Sequence, residues 1–133
     1  MKKNINLIAF LLLISLSCYS QESSSDKSEE PYVFAEQMPE FPGGDNALMA
    51  FLQKNIKYPV KALKNNIQGV VMVNFVVHSD GSILKVKVTK GIGGGCDEEA
   101  VRVIKKMPKW KPGKQAGKNV AVYFDVPINF TIK

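Results

Sequence analysis

The chain has 133 residues, enough for one domain, and is 45% hydrophobic and 23% charged. Those fractions exclude a disordered or collagen-like chain and a polytopic membrane protein, and two cysteines exclude a disulfide-dense scaffold. The net charge of +6 is unevenly spread: residues 21–33 carry −3 (one Lys against four acids) and residues 34–133 carry +7 (15 basic against 8 acidic).

The N-terminus reads as an export leader. Lys2 and Lys3 precede an apolar run, Ile5 to Leu16, of about 12 residues, where a bilayer span needs roughly 20. Three fates are open: cleavage after Ser20, lipidation at Cys18 within Ser15-Leu16-Ser17-Cys18, or retention as an anchor. All three put the domain outside the cytoplasm. Gln21 to Glu30 contains no apolar residue and cannot bury enough surface to offset ordering. The expected division is therefore a leader over 1–20, a flexible tether over 21–37 and a folded domain over 38–133. Within this, Pro31 to Pro42 is expected to lie extended against the domain edge.

Regular signals begin at Gly43. Asp45 is expected to cap an amphipathic helix over 46–55, with Ala47, Leu48, Phe51, Leu52 and Ile56 on one stripe. Pro59 opens a short helical segment, with Ala62 and Leu63 facing inward and Gly69 ending it. Val70 to His78 is a strand whose Val71, Val73, Phe75 and Val77 share a face. Ser79-Asp80-Gly81-Ser82 is a hairpin turn, since Asp-Gly supplies the positive φ it needs. Ile83 to Lys90 returns with Leu84, Val86 and Val88 alternating against Lys85, Lys87 and Thr89. After the glycine loop 91–95, Asp97 is expected to cap a helix through Met107, with the stripe Ala100, Val101, Ile104 and Met107. Glu98 and Glu99 lie at its start and Lys105 and Lys106 at its end, matching the helix dipole. Lys111 to Lys118 reads as a turn-rich loop. Val120 to Ile132 alternates throughout as the last strand. The fold class is α+β: a three-stranded antiparallel sheet packed against helices on one face.

The catalytic census is thin. His78 is the lone histidine, and with Ser79 and Asp80 it cannot form a triad, because adjacent residues cannot meet in that geometry. Cys96 precedes a helix, where a thiol pKa can fall, but has no neighbouring base. No second ligand stands at metal spacing, so no metal or cofactor is expected. The loop Gly91-Ile92-Gly93-Gly94-Gly95 lacks the phosphate-loop ending, and the acids 97–99 would repel phosphate. The basic charge meets no nucleic acid in an exported protein. An enzyme is not the expectation.

The sheet edge is more informative. With Val70–His78 in the middle, Ile83–Lys90 is an outer strand guarded by Lys85, Lys87 and Lys90. Val120–Ile132 is the other, long and free of lysine. Pro127 has no N–H to give and marks it as an edge. Such an edge invites a partner's extended segment, unless Pro31–Pro42 or self-association covers it.

An ordered set of motifs carries a resemblance. It runs from Met38-Pro39-Glu40-Phe41-Pro42-Gly43-Gly44 through Tyr58-Pro59 with Ala62, then Gly69 and the strand Val71, Val73, Phe75 and Val77. Asp80-Gly81, the strand Val86 and Val88, and Asp97, Ala100 and Val101 follow. Trp110-Lys111-Pro112-Gly113-Lys114 precedes the last strand. Over residues 38–133 the chain resembles the C-terminal domain of TonB proteins, which implies that Tyr58, Pro59, Gly69, Asp80, Gly81, Trp110, Pro112 and Gly113 are structural. It also implies a periplasmic module that binds the TonB box of outer-membrane transporters at its last strand, in energy-coupled nutrient or siderophore uptake. The matching stretch is Val120 to Phe130: Val120, Ala121, Val122, Tyr123, Phe124, Asp125, Val126 and Ile128 are the candidate contacts. Asn55, Ile56 and Lys57, just before Tyr58-Pro59, are the second candidate contact.

The departures matter equally. A full TonB keeps an N-terminal helix that meets the ExbB–ExbD motor, then a long Pro-rich spacer. Here the 19 residues from Gln21 to Pro39 reach at most about 65 Å at roughly 3.3–3.6 Å each. The resemblance thus leaves two roles: an energy transducer if the leader stays anchored to ExbB–ExbD, or an accessory adaptor or competitor without force. A second copy of the chain is a further candidate partner. Protein from the native host is expected to begin at Gln21 or at a lipidated Cys18. Mass spectrometry of its N-terminus checks this, and an intact Met1 in the membrane fraction would restore the anchored role.

Overall fold

A computed structural model describes residues 30–133. The leader and the tether as far as residue 29 lie outside the described residues. The unit Pro31–Lys133 is built on valine and phenylalanine alternation in strand β1 (Gly69–Val77), whose Val71, Val73, Phe75 and Val77 are all fully buried. β1 pairs antiparallel with β2 (Ile83–Lys90) on one side and with β5 (Val122–Phe130) on the other, giving the order β2-β1-β5. This is the expected arrangement. The helices α1 (Asp45–Asn55), α2 (Val60–Lys64) and α3 (Cys96–Lys105) contribute Leu48, Leu52, Ala62, Ala100, Val103 and Ile104 to the core beneath the sheet.

The β1–β5 ladder runs in unbroken register from Gly69↔Phe130 to Val77↔Val122. The β1–β2 ladder does not. Between Asn74↔Lys87 and Val76↔Leu84 the outer strand carries one extra residue, and Lys85 takes φ +55°. This bulge breaks the alternation expected of 83–90. Ile83, Val86 and Val88 pack on the core, whereas Leu84 is exposed.

The helix starts also depart from expectation. Asp45 is the first residue of α1, not its cap; Gly44 holds the cap position and no side chain bonds the first turn. Gly95, at φ +90° in the left-handed region, likewise caps α3 in place of Asp97. Asp97 instead turns back, and its carboxylate accepts the N–H groups of Ile92 (2.9 Å) and Gly93 (3.2 Å). It ties the glycine loop to the helix. Val103, on no predicted stripe, is fully buried. In α2, Pro59 is the cap rather than the first residue; Ala62 is buried, but Leu63 is 45% exposed, and Gly69 opens β1 rather than closing the helix.

The loop expected over 111–118 contains a hairpin. β3 (Gly113–Gln115) and β4 (Lys118–Val120) pair around Ala116 and Gly117, both at positive φ, the geometry of a two-residue hairpin turn. The last strand is therefore split: Val120 belongs to β4, Ala121 is the break, and β5 starts at Val122. Residues 31–37 do not all belong to a free tether. Tyr32 bridges Val122 in parallel, and Gln37 and Glu40 bridge Lys114 and Lys111 in antiparallel. Gln37 exchanges two backbone bonds with Lys114, and Glu40 two with Lys111.

The motif residues hold these pieces together. The Tyr58 hydroxyl donates to the Ile67 carbonyl (2.5 Å), and its ring meets Phe130 edge-on at 5.7 Å. Gly113 is buried, and an added Cβ would press on Val122 and the Gln37 carbonyl. In the hairpin turn Gly81 sits at φ +91°, and an added Cβ would collide with the Trp110 carbonyl oxygen. Trp110 donates its backbone N–H to the Gly81 carbonyl (2.9 Å). Trp110 is 3% exposed and meets Phe41, Phe75 and Phe124 edge-on at 5.8, 5.5 and 5.0 Å. It joins the N-terminal segment, the central strand and the outer strand.

The Trp110 indole N–H is buried with no partner, a cost of about 1–3 kcal/mol that the ring's packing must exceed. Trp110→Ala is therefore expected to lose about 3–5 kcal/mol. Trp110→Phe is expected to lose clearly less, because it keeps an aromatic ring and removes the orphan donor. Thermal unfolding of the two variants checks the order.

Candidate functional site

Successive N–H groups of a strand point to opposite edges, so the outward face of β5 is settled by one bond. Tyr123 donates its N–H away from β1, to the Tyr32 carbonyl (2.9 Å). Tyr123, Asp125, Pro127 and Asn129 thus direct their backbone groups outward, and Val122, Phe124, Val126, Ile128 and Phe130 direct theirs to β1. Tyr32 donates to the Ala121 carbonyl (2.8 Å) and closes that end of the edge. Among the described residues no other backbone bond occupies it. From the Tyr123 carbonyl onward the edge is open: N–H groups at Asp125 and Asn129, and carbonyls at Tyr123, Asp125, Pro127 and Asn129.

The side chains follow the same alternation. Val122, Val126, Ile128 and Phe130 are buried and Phe124 packs on the core. Asp125 lies on the opposite face, where its carboxylate accepts the Asn74 side-chain N–H (2.9 Å) across the ladder. That bond pairs a polar residue with a polar neighbour and leaves the backbone of Asp125 free.

The second candidate segment leaves the C-terminal end of α1. Ile56 is extended, with ψ 134°. The Asn55 side chain donates back to the Phe51 carbonyl, and its own carbonyl accepts Arg102 (2.9 Å). The Lys57 N–H donates to Glu99 (2.7 Å), which also forms an ion pair with Arg102 at 2.7 Å. The Arg102 bonds come first, and the Lys57 N–H adds to them, in holding the Glu99 carboxyl below its ordinary range. Residues 55–57 are thus pinned to α3 from the side.

One groove brings part of the two candidate segments together. It has a volume of about 520 Å³ and runs between α1 and β5, with Met49, Leu52 and Ile56 on one wall and Pro127, Ile128 and Phe130 on the other. Ile56 and Ile128 both line it. Asn55, Lys57 and the first half of β5 do not line it. Sequence reasoning missed Met49, half exposed on α1, and Tyr32. Met49 could have been found as an apolar residue off the buried stripe; no local signal marks Tyr32, because its partner lies 90 positions away.

Elsewhere the polar groups have structural roles. His78 is exposed and lies 3.3 Å from Asp80. Bonds from the Ser82 hydroxyl and N–H come first, and Lys109 and His78 add to them, in holding Asp80 at a pKa of about 2. Cys96 is fully buried, and burial, then the acids 97–99, push its thiol pKa up. The direction is opposite to the lowering that a place at a helix start allows: burial disfavours the thiolate first, and the three carboxylates add to it. Among the described residues no three His, Cys, Asp or Glu side chains are placed to hold a metal ion.

Comparison with known proteins fits this geometry. The family model for the Gram-negative bacterial TonB protein C-terminal region matches residues 54–132. The chain belongs to the TonB C-terminal domain family. The family is one of non-catalytic periplasmic interaction modules. Two NMR solution structures of the Helicobacter pylori TonB C-terminal domain are similar to it. One matches with TM-score 0.50 and 24% identity over 65% of this chain and 90% of that one. The other, a longer form, matches with TM-score 0.51 and 27% identity over 69% and 87%. A comparison with curated proteins gave no match. The TonB fold accounts for the three-stranded sheet and the helices packed on it.

The Glu99–Arg102 pair generates a prediction. The folded-state pKa of Glu99 lies below 4.5, so its contribution is present above that pH and is lost as the pH falls through the lowered value. Glu99→Gln is expected to change stability by no more than about 1 kcal/mol, as for an ion pair with an exposed partner. Protection of the Lys57 amide, taken as its exchange rate relative to the intrinsic rate at the same pH, is expected to fall in that variant, and in the parent protein as the pH drops through the lowered Glu99 value.

Proposed function

We propose that this domain docks on TonB-dependent outer-membrane transporters by accepting an extended transporter segment, the TonB box, as an added strand on β5. The observation that carries this reading is the open outward edge from the Tyr123 carbonyl to Asn129, beside a groove with an apolar wall on α1. Backbone groups on such an edge must find water or a second strand, and an extended peptide satisfies them in register. The groove then offers the incoming side chains an apolar wall from Met49 and Ile56. Asn55 and Lys57 act through their attachment to α3, which fixes the angle at which Ile56 enters the groove. An export leader, read from Lys2, Lys3 and the apolar run, supports a periplasmic setting for this contact.

Energy-coupled uptake and a force-free adaptor share this docking step. They differ in what happens to residues 1–20, since force requires an anchor.

Proline substitution separates the two edges. Asp125→Pro removes an outward N–H and leaves the β1 ladder intact. It is expected to fold and to weaken a TonB-box peptide roughly three- to tenfold, the worth of one such hydrogen bond. Phe124→Pro removes an inward N–H and buried packing and is expected to unfold the domain. Circular dichroism and peptide titration check both. Unchanged peptide affinity in a folded Asp125→Pro protein would move the docking surface elsewhere.

A further inference from the structure

Tyr32 makes, within the chain, the two bonds that an added strand would make at the start of β5. It lies parallel to the strand, donates to Ala121 and accepts from Tyr123. The chain then leaves the edge at once. Val33 and Phe34 bend outward and are 66% and 79% exposed. Backbone pairing resumes only at Gln37. Beyond it the attachment is firm: two bonds between Gln37 and Lys114, two between Glu40 and Lys111, Pro39 buried and Phe41 in the core. The Glu36 side chain also accepts the Ala116 N–H, and the Glu36 N–H donates to the Gln115 side chain.

We propose that Tyr32 is a built-in competitor for the partner strand: it closes the Ala121–Tyr123 end of the edge in the free protein and must be released before a segment can span all of β5. This rests on the docking reading above and adds the regulation of that site. Tyr32 is held by two bonds at an exposed position, where water competes for each of them and their net contribution is small. It is the kind of contact that opens locally without unfolding the rest. Its release leaves Gln37, Glu40 and Phe41 in place, so the core does not share in it. A short segment fits against Asp125–Asn129 without touching Tyr32. A longer one gains bonds at Ala121 and Tyr123 only by breaking the same two bonds within the chain. The extension therefore adds nothing to affinity while the latch is present, and the apparent affinity of a long segment is its intrinsic affinity multiplied by the open fraction.

The test uses the full chain, as wild type and as Tyr32→Pro, which has no N–H to give Ala121. Two probes are titrated: a nine-residue TonB-box peptide, and a synthetic peptide of residues 30–37 of this chain supplied in trans. Hydrogen exchange at the Tyr123 amide is followed by NMR. In the variant, Tyr123 is expected to exchange about tenfold faster, and both peptides to bind about tenfold tighter than to wild type and to protect Tyr123 again. Equal TonB-box affinity for the two chains would overturn the latch and leave docking on β5 standing. If the TonB-box peptide bound neither chain, the docking reading would fall and the peptide of residues 30–37 would decide the latch. Binding of that peptide to the variant alone would support it, and binding to neither chain would overturn it.

Discussion

Every residue of β1 pairs with one of β5, in a single unbroken register from Gly69↔Phe130 to Val77↔Val122. The two strands lie more than forty positions apart, so the ladder closes a long loop, and the burial of Val71, Val73, Phe75, Val126, Ile128 and Phe130 offsets that entropy. The rest of the molecule depends on this pairing. It commits the inward groups of β5 to the fold and leaves the outward groups for something else. It also sets the inward face against the helices, so that the edge of β5 and the end of α1 flank one groove.

The aromatic group around Trp110 binds the periphery to that ladder. Phe75 and Phe124 come from the paired strands and Phe41 from the N-terminal segment, with Trp110 between them. The bond from Trp110 to the Gly81 carbonyl fastens the hairpin turn to the same point. The N-terminal segment is thus anchored hard at Phe41 and Glu40 and lightly at Tyr32. One segment serves the core at one end and meets the open strand edge at the other, and the two ends differ in what their loss would cost.

Much of this was legible from the residues. The period-two pattern of 70–78 and 120–132, the Asp80-Gly81 turn and the basic outer strand made the observed strand order the simplest arrangement, though they did not prove it. Pro127 marked the free edge through its missing N–H. What failed did so for nameable reasons. Asp45 and Asp97 both look like helix caps, but Gly44 and Gly95 take those positions, and Asp97 is drawn back by two loop N–H groups. Leu84 falls out of phase because a bulge at Lys85 inserts one residue, which alternation cannot reveal. The hairpin 113–120 is too short for a period to show.

The sequence by itself determined the three helices, the three strands of the main sheet and the faces of β1 and β5, because hydrophobic period, proline, glycine and turn chemistry act within a few residues of one another; the ordered motifs carried the resemblance to the family. It also named both segments of the candidate site. Only the tertiary structure decided how they meet. It showed that Ile56 and Ile128 line one groove while Asn55 and Lys57 turn to α3, and that Tyr32 fills the first positions of the edge. Those contacts join residues 40 to 90 positions apart. Their pairing is set by where the folded core brings backbone donors and acceptors within hydrogen-bond reach, and no local pattern encodes that distance.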